Sequence, residues 1–196
     1  MTPIGTTTPV SIPRSAQWTM CGTGTAVAFL WGFAESTLFF ILPDVMLSFV
    51  ALYRPRRALV LMLAMLMGAV LGGSVMYVWA THGQGAHYAV ARVPAVSPKM
   101  FERAEQDWER YGPWGMSLGP VRGIPYKVYA VETPAKSSLL GFALFSIPAR
   151  LWRFVAVWLG FSGAGLLLRK MGRASLVPLV HAVFWVVTYA VYWTNV

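Results

Sequence analysis

The chain consists largely of apolar runs, and in two of them prolines and charged side chains stand where an ordinary membrane-spanning helix is uncharged. Hydrophobic residues make up 57% of the 196 residues, and Asp, Glu, Lys and Arg together only 12%. This leaves too little polar material to cover a water-soluble domain. The sequence therefore predicts an all-α integral membrane protein, with a Thr/Pro-rich flexible tail at 1–17 and a single membrane domain at 18–196.

Basic residues outnumber acidic ones by 16 to 7, and many of them flank the apolar runs. Clusters lie at 54–57, 150–153 and 169–173. Because clusters beside membrane spans are typical of positive-inside topology and of contact with anionic lipids, we expect no nucleic-acid partner. Arg150 and Arg153 fit either a cytoplasmic helix end or the polar interior of the protein.

The first apolar stretch, residues 18–53, is too long for one span and is broken at Pro43. A half-helix of about 10 residues reaches only about 15 Å, half the thickness of the hydrocarbon core. Two acidic residues, Glu35 and Asp44, flank the break. Because broken backbone at membrane depth must be buried in protein or line a wet cavity, the pattern predicts a re-entrant hairpin at 34–53.

Four uninterrupted or nearly uninterrupted spans are predicted around the broken segments. The clearest is 58–80, which carries no charge and has three glycines at close-packing spacing, Gly68, Gly72 and Gly73. The apolar runs at 136–147, 149–168 and 175–194 supply the later helices, with a break expected at Pro148. The expected total is two hairpins and about four full transmembrane helices.

Residues 81–96 are predicted to form an irregular loop. His82 and His87 lie there without further His or acidic neighbours, so the sequence predicts no metal site and no cofactor. The following residues, 97–111, predict an amphipathic interfacial helix that ends at Gly112. Its apolar stripe is Met100, Phe101, Ala104, Trp108 and Tyr111, and its expected solvated face is Glu102, Glu105, Asp107, Glu109 and Arg110.

A second broken segment is predicted at 112–135. It contains four prolines and four glycines, which exclude a continuous helix: Gly112, Pro113, Gly115, Gly119, Pro120, Gly123, Pro125 and Pro134. Two basic residues, Arg122 and Lys127, lie within it. Paired broken segments in the two halves of a membrane protein point to a binding site near the bilayer midplane, so we predict a second re-entrant hairpin and an inverted repeat.

Several short motifs follow one another in a characteristic order. The first half contains Glu35-Ser36, Leu42-Pro43-Asp44, Arg54-Pro55-Arg56-Arg57-Ala58 and a run from Gly68 through Gly72-Gly73 to Tyr77. The second half contains Glu109-Arg110-Tyr111-Gly112-Pro113-Trp114 and Arg122-Gly123-Ile124-Pro125-Tyr126-Lys127-Val128. Over roughly residues 30–160 this order resembles the DedA superfamily of VTT-domain, or SNARE-associated Golgi, proteins, and in particular its short YqaA-type branch.

The resemblance implies two re-entrant hairpins that meet inside the bilayer of the bacterial inner membrane. It also implies lipid transport between leaflets, since bacterial members are linked to the return of undecaprenyl phosphate and eukaryotic relatives scramble phospholipids. By position, Glu35 and Asp44 correspond to the acids of the first hairpin. Arg122 and Lys127 correspond to the basic pair of the second.

The chain departs from the family pattern in ways that affect the expected substrate more than the architecture. The departures are a missing glycine between Pro43 and Asp44, Lys127 one residue nearer Pro125 than the usual arginine, Lys136 in place of a glycine, and the additional acid Glu132. We assign four residues to the rim of the expected pocket: Pro43, Pro125, Glu132 and Lys136.

Charges at membrane depth need a reason, because each costs roughly 2.5–3.5 kcal/mol even on insertion scales. Arg122 and Lys127 suit an anionic phosphate head group, and Glu35 or Asp44 suits proton exchange as that phosphate binds. The hypothesis is therefore a flippase or scramblase with a polar groove, whose partners are membrane lipids and protons.

Other interpretations remain open at this stage. The four charges form static ion pairs that lock the hairpins together, or the chain is a non-transporting scaffold or assembly factor. An intramembrane enzyme is disfavoured, because Ser36 and Ser117 have no nearby His in sequence and His181 has no acidic partner. Homo-oligomerisation is also left open.

Overall fold

A computed structural model describes Gln17, Thr19 and residues 21–94 and 96–194 of the chain. These residues form nine α-helices and two short 3-10 helices, with no strand among them. The α-helices are α1 (Gly22–Ser36), α2 (Asp44–Tyr53), α3 (Pro55–Thr81), α4 (Gly85–Ala91), α5 (Pro98–Tyr111), α6 (Gly119–Arg122), α7 (Tyr126–Glu132), α8 (Leu139–Lys170) and α9 (Val177–Thr194). Apart from Gln17, the predicted tail at 1–17 lies outside the described residues.

Three of the described helices are long and apolar enough to cross a membrane: Pro55–Thr81 with 27 residues, Leu139–Lys170 with 32 and Ala174–Thr194 with 21. The chain therefore has the all-α membrane-protein character that its composition predicts. The count differs from the expected four, because the predicted runs 136–147 and 149–168 form one helix and α1 has only 15 described residues. At 1.5 Å per residue it spans about 22 Å, against about 30 Å of hydrocarbon core.

The predicted break at Pro148 is wrong. Helix α8 runs from Leu139 to Lys170 and contains Pro148 in its interior. A proline removes one backbone hydrogen bond, but a membrane helix tolerates the loss when neighbouring groups satisfy the freed carbonyl. As a consequence, Arg150 and Arg153 lie within one continuous helix and not at a helix start.

Helices α1 and α3 pack so closely that only glycine fits at several positions of their interface. A Cβ atom would clash at each predicted packing glycine: at Gly68 with the Phe29 carbonyl, at Gly72 with the Phe33 carbonyl, and at Gly73 with the Tyr126 ring. The prediction that these glycines serve close packing is confirmed. The first two hold α3 against α1, and the third admits a side chain from α7.

The break at Pro43 is confirmed, and the half-segment after it is buried. Helix α2 packs against α3 and α8, and eight of its ten residues are buried. Leu47 and Ala51 lie in one apolar cluster with Leu61 of α3 and Phe154 of α8. Although α2 is apolar, it has only 10 residues, and it is covered by the protein itself.

The region between α3 and the second broken segment is more regular than predicted. The expected loop at 81–96 contains α4, whose Ala86 and Val90 lie four residues apart and are both fully buried. Burial of this apolar pair explains a seven-residue helix that its short sequence, which begins with Gly85, does not predict by itself. The predicted amphipathic helix is confirmed as α5, which has Pro98 in its first turn and ends at Gly112, whose φ is +58°.

Residues 112–135 contain no continuous helix, as predicted. A 3-10 helix at Gly112–Leu118 leads into α6, which ends at Gly123 with a left-handed φ of +70°. Pro125 then precedes α7, and six of the seven residues of α7 are buried. The two broken segments thus each contribute one short, buried helix, α2 and α7.

Candidate functional site

Two buried charges of opposite sign form an ion pair between α1 and α8. Glu35 and Arg150 are each 3% exposed. The Arg150 guanidinium donates to both carboxylate oxygens, through Nη2 to Oε2 and through Nη1 to Oε1 at 3.4 Å. Its Cζ also lies 4.8 Å from the centre of the Tyr126 ring and 5.4 Å from that of Phe154. Two-pronged pairing of this kind fixes both side chains and compensates for part of their desolvation.

A second ion pair lies one helical turn further along α8. Arg153 Nη2 is 3.0 Å from Asp44 Oδ2 at the start of α2, directly after Pro43. Asp44 is 2% exposed, and its Oδ1 makes no hydrogen bond to the described residues. Because Arg150 and Arg153 are three residues apart, one face of α8 presents both guanidinium groups. That face meets the two acids that flank the first break.

Lys127 brings the second broken segment to the first. It lies in α7 and is 2% exposed. Its Nζ donates to the backbone carbonyl of Phe39, within the non-helical stretch between α1 and α2. An ammonium group thus satisfies a carbonyl that the break leaves without a helical partner.

Arg122 lies apart from the other three predicted site residues. It ends α6 and pairs with Asp107 of α5, which is 1% exposed and also accepts a 2.9 Å hydrogen bond from the Tyr129 hydroxyl. The expected solvation of Asp107 is wrong: its carboxylate is buried, and two donors, Arg122 and the Tyr129 hydroxyl, satisfy it. The Arg122 side chain itself remains 42% exposed.

A cavity of about 210 Å³ connects the buried charges to the second broken segment. Its charged lining residues are Glu35, Lys127 and Arg153. Helix α9 contributes further polar lining residues: Thr188, Tyr189 and Tyr192. The second broken segment contributes Gly119, Pro120, Gly123 and Pro125. The cavity is large enough for several water molecules or a small anionic group, and both signs of charge reach it.

The predicted rim residues fall into two places. Pro125 lines the cavity, Pro43 precedes α2 and is not among the lining residues, and Glu132 and Lys136 belong to a separate polar surface. Glu132 pairs with His87 at 3.1 Å, and Lys136 donates to Glu105 at 2.8 Å. The Lys136 ammonium, by hydrogen bond and by charge, holds the pKa of the exposed Glu105 carboxyl below its usual range. These contacts tie α4, α5 and the end of α7 together.

One serine and histidine do meet in the structure. Ser48 Oγ lies 3.1 Å from His181 Nε2, and that nitrogen also lies 3.0 Å from the carbonyl oxygen of Val45. A carbonyl only accepts, so Nε2 carries the proton in this contact and cannot take one from Ser48. Trp185 completes the network by donating to Ser48 Oγ at 2.9 Å. The network holds α9 against α2.

The two arginines of α8 are the site residues that the sequence analysis did not select. Their position beside Pro148 suggested a helix end, which left two interpretations open. The useful signal is their spacing of three residues inside an otherwise apolar run, since it places both on one helix face. Two basic residues on one face of a membrane helix require acidic partners in the protein interior.

The site therefore consists of two ion pairs, one buried lysine and the cavity that they adjoin. Comparisons of the chain with protein-family models, with curated proteins and with solved structures found no match. The chemistry of the site consequently rests on its own residues: carboxylates, guanidinium groups and an ammonium group held between apolar helices.

Proposed function

We propose that this chain moves a phosphate-bearing lipid head group between the two leaflets of a bacterial inner membrane, while the acyl or prenyl chains stay in the bilayer. One observation carries the proposal. The cavity between apolar helices is lined by Lys127 and Arg153, which suit a phosphate, and Arg153 is paired with Asp44, which suits a proton. A purely structural core of this composition would gain more from apolar side chains.

The architecture that goes with this function is a pair of re-entrant hairpins, 34–53 and 112–135, in an inverted repeat of the DedA type. Support comes from the shortness and burial of α2 and α7, neither of which is long enough to cross a bilayer. The hydrogen bond from Lys127 to Phe39 joins the two segments directly. The order of motifs that resembles the superfamily agrees with this arrangement.

In the mechanism we propose, the phosphate competes with a carboxylate for Arg153. Arg153 contacts Asp44 through one nitrogen only, whereas Arg150 holds Glu35 through two. The looser pair is the one that opens, and the phosphate takes the place of Asp44 on the guanidinium group while Lys127 contributes a second positive charge. Asp44, released from its partner in a low-dielectric site, then takes up a proton. Proton uptake on one side and release on the other couples transport to a proton gradient.

A translocation assay with purified chain in liposomes tests this proposal. The probes are a fluorescent phospholipid and a fluorescent polyprenyl phosphate, each with and without a pH gradient. We expect transport by the wild type and loss of transport in Lys127→Met and Asp44→Asn, with normal insertion. Arg92→Gln is the matched control, since it removes an exposed cation that does not line the cavity.

The outcomes separate the possible functions. Gradient-dependent transport by the wild type that Asp44→Asn abolishes supports proton coupling, whereas wild-type transport that is the same with and without the gradient indicates a passive scramblase. Full transport by both cavity variants contradicts the proposal. A folded wild-type chain that moves neither lipid and co-purifies with a fixed membrane partner indicates the scaffold instead.

A further inference from the structure

A second cavity lies beside the first and is lined mainly by α5 and the second broken segment. It measures about 610 Å³. Its lining includes three basic side chains, Lys99, Arg103 and Arg122. We call this cavity the basic vestibule. Gly123 and Tyr192 line both cavities. The vestibule therefore opens next to the cavity that contains the buried ion pairs.

Two of the three basic side chains of the vestibule form no ion pair with the described residues. Lys99 and Arg103 are four residues apart on α5, so they share one helix face, and neither forms an ion pair within the described part of the chain. Arg122 pairs with Asp107 but keeps 42% of its side chain exposed. The described lining contains no carboxylate. Lys99 and Arg103 therefore face the cavity as two like charges with no carboxylate in its lining, and a bound anion would relieve their repulsion.

The placement of these cations favours a lipid phosphate as that anion. Helix α5 buries its apolar residues, among them Met100, Phe101 and Ala104, against the second apolar cluster, and its polar face lies outward. An amphipathic helix of this kind lies at the level of the lipid head groups, where each Lys or Arg attracts anionic lipid. The adjoining cavity provides the next position for the same phosphate.

We propose that the basic vestibule is the capture site at which the phosphate of an anionic lipid binds before its head group enters the first cavity, the one lined by Lys127 and Arg153. This inference rests on the proposed function for its entry role. Lys99 and Arg103 supply the first contacts, and Arg122, at the mouth shared with Gly123, passes the phosphate inward to Lys127 and Arg153.

Binding is measured first, with the full chain in detergent micelles and dioctanoyl phosphatidic acid as the probe. Isothermal titration gives the dissociation constant of the wild type and of the double variant Lys99→Gln/Arg103→Gln. We expect the double variant to bind about thirtyfold more weakly, because each basic residue near a lipid phosphate contributes roughly fivefold. Arg110→Gln is the control: it removes a cation from the same helix that does not line the vestibule, and its affinity should stay within about twofold of the wild type.

Two further arms identify the ligand. Dioctanoyl phosphatidylcholine has the same chains and no net charge, and it should bind far more weakly than phosphatidic acid. Inorganic phosphate should compete only weakly, because it lacks the chains that hold the head group at the vestibule. Equal affinity for the two lipids overturns recognition by charge, and equal affinity for inorganic phosphate overturns the lipid in favour of a free anion.

Transport separates this inference from the proposed function. In liposomes the double variant should need a higher fraction of phosphatidic acid to reach half its maximal rate, with little change in that maximal rate. Unchanged lipid binding by a double variant, with transport intact in the wild type, overturns the vestibule alone. Lost binding in the double variant, with no transport by the wild type, leaves the binding site in place and overturns both the entry role and the proposed function.

Discussion

The two broken segments of this chain treat their charges in opposite ways. In the first, 34–53, both acids are at most 3% exposed, and each is held by an arginine of α8. In the second, 112–135, Lys127 is buried at the first cavity, whereas Arg122 has 42% of its side chain exposed and pairs with Asp107 of α5. Both acids of the first segment are thus buried in the protein interior. The second segment has one buried cation, Lys127, and one exposed cation, Arg122, which lines the basic vestibule.

This difference separates charges that hold the fold from charges that are free to act. An ion pair buried on both sides is costly to break, since the remaining charge has neither water nor a partner. A cation at a cavity has alternatives, because water or an anionic group can replace its protein contact. We therefore expect the first pair, Glu35 and Arg150, to affect stability most and Lys127 to affect transport most.

The largest expected effect belongs to Arg150→Met. It leaves Glu35 buried without a partner, and we expect the free energy of unfolding to fall by about 3–5 kcal/mol. Denaturant titration in detergent, followed by tryptophan fluorescence, measures the change. The double variant Glu35→Gln/Arg150→Met removes both charges and should recover at least half of the loss. A single variant as stable as the wild type would contradict a structural role for this pair.

A smaller effect is expected for Arg122→Met. The Asp107 carboxylate then keeps only its hydrogen bond from Tyr129, and we expect the free energy of unfolding to fall by about 1–2 kcal/mol. This is less than for Arg150→Met because solvent already reaches the Arg122 side chain. The same denaturant titration applies. Adding Asp107→Asn should restore most of the stability, since the amide needs no cationic partner. Failure of that rescue would show that Arg122 acts through packing.

For Lys127→Met we expect a change in unfolding free energy of about 1 kcal/mol or less. The substitution removes one hydrogen bond to the Phe39 carbonyl but also the cost of burying an ammonium group. Transport should be lost nevertheless. Parallel measurement of unfolding and of lipid translocation on one preparation gives the contrast with Arg150→Met. A large loss of stability in Lys127→Met would place Lys127 with the structural pairs.

The smallest effect is expected for Lys136→Met, which removes the exposed contact to Glu105. Because the pKa of Glu105 is lowered, the contribution of this contact to the free energy of unfolding is present at neutral pH. It disappears as the pH falls through the lowered pKa, where the carboxylate becomes protonated. Exposed pairs contribute little, so unfolding curves of variant and wild type should nearly coincide at neutral pH and coincide fully in acid. A difference that grows in acid would contradict the sign of this linkage.

Several features of the fold follow from local sequence. The break at Pro43, the irregular backbone at 112–135 and the amphipathic helix α5 each depend on residue types that act within a few positions, such as proline, glycine and a periodic apolar stripe. Helix α4 and the continuation of α8 through Pro148 do not follow in this way. Both depend on partners that lie far away in the chain.

The pairing of the site residues was also beyond local sequence. Glu35 and Arg150 are 115 residues apart, and Asp107 lies among charges that pattern alone assigns to solvent. Which cation meets which acid depends on how α8 packs across α2 and on the two donors that converge on Asp107. No spacing rule carries that information.

The sequence by itself determined that this is an α-helical membrane protein with two proline-broken segments and charges at their breaks. Its composition leaves too little polar material to cover a water-soluble domain. Proline and glycine act on the backbone wherever they occur. Only the tertiary structure decided that Arg150 and Arg153 complete the site and that Arg122 lies at a separate vestibule. A buried charge selects the partner that is nearest in space, and nearness in space is a property of packed helices.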